Sequence, residues 1–143
     1  MDKLNVDYNF NDHVVIVTAG SKGIGLAAVK AFYQAGACVA TCSRSSEVIA
    51  QITEQFEDSK RFFAMSGDIK NSRFLSEFHS KVEAHFDKSV DILINNSGGP
   101  RPGSSTDFND DDWSDAINGN LLSVIRMTSL VMPGMKEKSW GRI

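Results

Sequence analysis

Short apolar runs alternate along the chain with longer segments in which apolar residues recur every three or four positions. The first run, His13-Val14-Val15-Ile16-Val17, feeds a segment whose spacing predicts a helix from 23 to about 35. The pattern then predicts a strand over 37–43, a helix from 45 to about 57, a strand over 61–66, a helix from 71 to about 86 and a strand over 90–95. Ile92-Leu93-Ile94 lacks polar alternation, as expected of a strand covered on both faces. Strands alternating with helices imply βαβ units and a parallel sheet. A loop rich in glycine, proline and serine follows over 98–105. Beyond it, Asn109 is suited to cap a long helix whose first turn holds Asp110, Asp111 and Asp112, since anions are stabilised at that end. Dipole complementation accounts for this acidic cluster better than a metal site does. Ile117, Leu121, Val124, Ile125 and Thr128 recur at three and four and predict the packing face of the long helix. Gly141-Arg142-Ile143 reads as the opening of a further strand.

Composition narrows the class. The 143 residues suit one domain, 1–143, and 41% hydrophobic with 23% charged residues is ordinary for a soluble protein. A formal charge of -3 leaves no basic footprint, so nucleic acid is not an expected partner. No apolar run is long enough to span a bilayer and no charged-then-apolar leader stands at the start, which predicts a cytoplasmic protein with no membrane partner. Cys38 and Cys42, four apart in a predicted strand, match neither redox nor zinc spacing and are expected to be reduced core residues. His13, His79 and His85 show no ligand spacing, so no metal is expected and each reads as a surface or helix-flanking residue.

The strongest chemical signal is Thr18-Ala19-Gly20-Ser21-Lys22-Gly23-Ile24-Gly25, placed where the first strand delivers the chain into the first helix. A helix start has unpaired N–H donors and the positive end of the dipole, so the amides of Ser21, Lys22, Gly23 and Ile24 are candidates to hold a diphosphate. Gly20 and Gly23 let the backbone turn and approach phosphate, and Gly25 permits close packing of helix on strand. A tight turn without a ligand is the alternative for such a motif taken alone.

It does not stand alone. Gly67-Asp68 follows the third strand, Asn95-Asn96-Ser97-Gly98 follows the fourth, and Asn120 lies inside the long helix. In this order and at these intervals, from residue 13 to the last, the chain resembles the short-chain dehydrogenase/reductase family. The resemblance implies an α/β Rossmann-type doubly wound parallel sheet, incomplete, with strand order 3-2-1-4 and the start of strand 5. It also implies hydride transfer between a nicotinamide cofactor and a small alcohol or carbonyl substrate. Two departures stand out: Ala19 replaces the family's first glycine and Ser97 an alanine. The first predicts a slightly shifted turn; the second leaves the backbone role intact.

The end of the second strand bears on the cofactor. An acid there would bind the adenosine ribose, whereas a cation accommodates a 2′-phosphate. Here the strand ends Thr41-Cys42-Ser43-Arg44, and Arg44 offers a permanently charged fork for phosphate. By resemblance Lys22 adds a second cation, and the expectation is NADP rather than NAD. The resemblance further implies that Asp68 and the Ile69 amide read adenine and that Asn96, Ser97 and Gly98 line the ribose and nicotinamide end. Asn95 is expected to fix strand packing, Asn120 to order a water of the proton relay, and the long helix to pair across a homo-oligomer interface. Methyltransferases share a glycine turn but want an acid where Arg44 stands, and no G-x-x-x-x-G-K-[ST] of nucleotide triphosphatases occurs.

In the family a serine, and a tyrosine followed four residues later by lysine, carry the chemistry, the lysine lowering the tyrosine pKa. The tyrosines here are Tyr8 and Tyr33, and Asp12 and Ala37 stand four residues after them. Two readings follow. In one the chain represents the N-terminal half of an NADP-dependent alcohol or carbonyl oxidoreductase and does not turn over alone. In the other it is a non-catalytic dinucleotide-binding module or truncated paralogue. Of the substrate's surroundings only the loop 99–103 is in view, with Arg101 read as solvent-facing more readily than as a receptor for an anionic substrate.

Overall fold

A computed structural model describes residues 8–143, so the first seven residues of the 1–143 domain lie outside the described part. The elements are β1 (Val14–Val17), α1 (Gly23–Gln34), β2 (Cys38–Ser43), α2 (Ser46–Thr53), β3 (Phe62–Ser66), α3 (Ser72–Phe86), β4 (Ile92–Ile94), α4 (Asp110–Ile117) and α5 (Ser123–Glu137). A 3₁₀ turn at Ser105–Asp107 precedes α4, and a π turn at Asn118–Leu122 joins α4 to α5.

All strand pairings are parallel and the order is β3-β2-β1-β4, the Rossmann-type order implied by the sequence. Arg142 lies beside Ile92 as a parallel bridge, with Leu93 N donating to Arg142 O at 2.9 Å and Arg142 N to Asp91 O at 3.1 Å. This isolated bridge lies on the outer edge of β4, where the sequence reading places the start of a further strand. Each strand residue in β1 is fully buried. Because side chains alternate across a strand, Val14 and Ile16 join α3 and α5 on one face, and Val15 and Val17 join α1 and α2 on the other.

Asp91 fastens the foot of the sheet. Its carboxylate accepts from Val14 N at 2.8 Å and pairs with Lys138 beyond α5, so β1, β4 and the last helix share one anchor.

Three expectations need correction. The second helix stops at Thr53 instead of running to about 57, because Phe56 turns inward to stack on Phe62 with ring centroids 3.9 Å apart. The long helix buries Ser123, Met127, Val131 and Met135, whereas Ile117, Leu121 and Ile125 of the predicted packing face are about half exposed. Both stripes are apolar, and spacing alone does not say which meets the sheet. His79 lies in the middle of α3, mostly buried beside Glu83 at 3.5 Å, and is neither a surface nor a flanking residue.

Candidate functional site

The turn from β1 to α1 is held from beneath by two neighbours. Thr41 Oγ1 accepts from Gly20 N at 3.0 Å and donates to Val17 O at 2.8 Å. A Cβ on Gly20 would come within 2.8 Å of Val29 Cγ2 as well as striking Thr41, so only glycine fits. From the other side Asn96 Nδ2 donates to Thr18 O at 3.1 Å and Ala19 O at 3.0 Å, while Asn96 N donates to Thr18 Oγ1 at 2.9 Å. A Cβ on Gly25 would come within 2.6 Å of that amide. Ala19 adopts φ 50, the left-handed region in which glycine is at ease, and Gly23 adopts φ 56. The departure of Ala19 from the motif thus leaves the turn with the glycine-like conformation and a Cβ in it.

Helix caps single out α1. Ser45, Asn71 and Asn109 each accept backbone N–H groups at the starts of α2, α3 and α4 through their side chains. Lys22, the N-cap of α1, makes no such bond, so among the described residues no capping side chain serves the first amides of that helix at the positive end of its dipole. Gly23 has nothing within 4 Å of where a Cβ would stand. A phosphate can therefore approach the backbone there.

This helix start opens onto a crevice at the carboxyl edge of the sheet. Ser21, Lys22, Arg44, Asp68, Ile69, Ser97, Gly98 and Asn120 line it. Gly20 lies below the surface, Gly25 is buried, and Gly23 and Ile24 are exposed on the rim of the turn. Asn96 does not line the crevice: its side chain braces the glycine turn. Asn95 reaches α5, with Nδ2 donating to Thr128 Oγ1 at 3.4 Å. Among the described residues neither Lys22 nor Arg44 has a carboxylate within ion-pairing distance, and both are exposed. Asp68 is half-buried and folds its own loop, Oδ1 accepting from Lys70 N at 2.9 Å, while Asn71 supplies the cap of α3.

Asn120 sits in the π turn. Its Nδ2 donates to Ala116 O at 2.8 Å and its Oδ1 accepts from Ser97 Oγ at 2.7 Å. Such one-turn widenings of a helix recur at functional sites. The start of the widened turn is braced by Ser123 Oγ on Gly119 O at 2.6 Å and by Arg126 Nη1 on Asn118 Oδ1 at 2.6 Å.

The far wall holds residues that the sequence did not single out. Lys70 Nζ donates to Asp115 Oδ1 at 2.7 Å, its carbonyl accepts from Arg126 Nη1 at 2.9 Å, and its stem lies across Gly119. Lys70 and Asp115 are 45 positions apart, so no local pattern announces the pair. Thr41 had a weak signal, a hydroxyl set among the small and apolar residues of a buried strand. Arg101 lines the crevice, its guanidinium 4.9 Å above the Phe108 ring and 3.5 Å from Asp112 Oδ2; it is docked on its own loop, although its side chain is largely exposed.

Burial pushes the Cys42 thiol up to about 11, and burial also raises Cys38, so both stay protonated and poorly nucleophilic near neutrality. Among the described residues no three His, Cys, Asp or Glu side chains are gathered to share a metal ion.

Known proteins resemble this arrangement over nearly the whole chain. The 3-oxoacyl-[acyl-carrier-protein] reductase of Vibrio harveyi is 31% identical over 137 residues, covering 94% of this chain and 54% of the relative. The tropinone reductase homolog of Arabidopsis thaliana is 32% identical over 132 residues, covering 90% and 49%. Among solved structures, an actinorhodin polyketide ketoreductase variant with NADPH superposes with TM-score 0.84 at 28% identity, covering 92% of this chain and 51% of that one. A short-chain dehydrogenase from Streptomyces avermitilis gives 0.82 at 26%, covering 90% and 46%. The chain spans about half the length of the curated relatives it matches. The family model for short chain dehydrogenase matches residues 13–143, and with the parallel sheet and glycine turn described above it establishes that the chain belongs to the short chain dehydrogenase family.

Proposed function

We propose that this chain is the NADP(H)-binding part of a short-chain oxidoreductase that moves hydride between nicotinamide and a small alcohol or carbonyl substrate. The carrying observation is the uncapped start of α1 at the mouth of the crevice; among the described residues it is the one helix following a sheet strand whose first amides no side chain serves. The residues fit a dinucleotide: Gly20 and Gly25 leave no space for a Cβ and pack the turn tightly, while exposed Gly23, with nothing within 4 Å of a Cβ position, leaves backbone open where phosphate would lie.

The diphosphate is assigned to the amides of Ser21, Lys22, Gly23 and Ile24, with Gly20 and Gly25 shaping the turn. Arg44 and Lys22, both without carboxylate partners among the described residues, support a 2′-phosphate and hence NADP. Asp68 and the Ile69 amide are assigned to adenine, and Ser97 and Gly98 to the nicotinamide end. The relative solved with NADPH supports the same preference. Asn120 is assigned to the ordering of a relay water near the reacting atoms. The nicotinamide supplies or accepts the hydride when bound. Proton exchange needs a tyrosine with a lysine four residues on, and neither Tyr8 nor Tyr33 offers that pair, so residues 1–143 alone are expected to bind cofactor without turnover.

A homo-oligomer formed through the exposed Trp113, Ile117, Leu121 and Ile125 stripe completes the reading, since such a stripe on a helix favours a partner surface. Among the described residues no helix is long and apolar enough to cross a membrane, and the two unpaired cysteines favour a reducing compartment, in keeping with a cytoplasmic enzyme.

Dissociation constants for NADPH and NADH test the cofactor. NADPH should bind roughly 10- to 100-fold more tightly, and Arg44→Asp should remove most of that ratio. Equal affinities in the wild-type chain would overturn the NADP assignment.

A further inference from the structure

Ser97 stands where the motif usually has alanine, and its hydroxyl lies 2.7 Å from Asn120 Oδ1 while Asn120 Nδ2 lies 2.8 Å from the Ala116 carbonyl. The chemistry of these groups fixes the direction of both bonds. A backbone carbonyl oxygen only accepts, so the nitrogen of the Asn120 amide must face Ala116 and its oxygen must face Ser97. An amide oxygen also only accepts, so the proton in the second bond is that of Ser97. Ser97 Oγ, on the crevice wall where β4 ends, is left with lone pairs alone to offer a ligand.

We infer that Ser97 is a cofactor-binding residue of fixed polarity: its oxygen accepts a hydrogen bond from an O–H or N–H donor on the nicotinamide-side nucleoside, and Asn120 sets that polarity. The inference rests on the dinucleotide reading above and deepens it. An alanine at this position offers no acceptor. A serine without Asn120 can either donate to or accept from a ligand, so the pair, and not the hydroxyl alone, makes the site solely an acceptor. The π turn suits the task because Ser123 and Arg126 brace Gly119 and Asn118, the two residues before Asn120.

Two ligands separate this role from a structural one. NADPH carries the nicotinamide nucleoside; adenosine 2′-phosphate 5′-diphosphate carries the adenine half and its phosphates but not that nucleoside. In titrations of residues 1–143, Ser97→Ala should weaken NADPH by about 3- to 10-fold and leave the shorter ligand's affinity unchanged. Ser97→Thr, which keeps the hydroxyl, should retain NADPH affinity. Asn120→Leu, which frees the proton but keeps the acceptor, should show a smaller selective loss, and adding Ser97→Ala to it should cost less than the single change does in the wild type. If Ser97→Ala binds both ligands as the wild type does, or loses both alike, the inference is overturned while the dinucleotide reading stands. If the wild-type chain binds neither ligand, the dinucleotide reading fails and takes this inference with it.

Discussion

Thr41 Oγ1 bridges two backbone groups of the glycine turn, accepting from Gly20 N at 3.0 Å and donating to Val17 O at 2.8 Å. Thr41 is fully buried, so no water can replace it. Thr41→Val keeps the shape but leaves the Gly20 N–H without a partner, at a cost of about 1–3 kcal/mol. Urea denaturation should show that loss, and an unchanged midpoint would mean the turn is held elsewhere.

Ala19 adopts φ 50, where a Cβ crowds the following carbonyl. Ala19→Gly should therefore stabilise the chain by about 0.5–1 kcal/mol, the relief of strain outweighing the added freedom of the unfolded chain. A lowered thermal midpoint would show that the alanine side chain contributes packing that exceeds the strain.

The helix stripe of Trp113, Ile117, Leu121 and Ile125 lies on the opposite side from the core-facing Met127, Val131 and Met135. If it meets a second copy, Leu121→Glu should convert dimers to monomers in sedimentation while leaving circular dichroism unchanged, because the position is half exposed in one chain. Equal sedimentation of wild type and variant would remove the stripe from any interface.

Cys42 gives a pH dependence with a definite sign. Burial raises its thiol from 9.0 to about 11, so the folded state holds its proton more tightly than the unfolded state. That contribution is complete below 9 and is lost as pH rises towards 11. The stability advantage of the wild type over Cys42→Ala should shrink across this window, as followed by urea midpoints. An advantage that grew with pH would contradict the burial account.

The fold was legible where a single rule dominated. The run ending at Val17, the glycines after it and the helical spacing beyond all favour one strand, one turn and one helix, and they agree with each other. Asn109 could be read as a cap because a cap is a local event. The end of α2 could not, since the stacking of Phe56 on Phe62 joins segments whose pairing depends on the finished sheet. The same holds for the candidate site. The glycine turn, Arg44 and Asp68 announce themselves in short motifs, whereas the Lys70–Asp115 pair and the bracing of the turn by Asn96 exist only after α3, β4 and α4 have been brought to one edge. Two apolar stripes on the last helix had equal claims to the core, and packing against α3 decided between them.

If the amides at the start of α1 hold the diphosphate of a dinucleotide, backbone amide proton–nitrogen correlation spectra of residues 1–143 read that contact directly. On adding NADPH, the resonances of Ser21, Lys22, Gly23 and Ile24 should shift most and saturate together with those of Asp68 and Ser97. Saturating NADPH that leaves the four turn amides in place, or shifts confined to surfaces away from the crevice, would contradict the account.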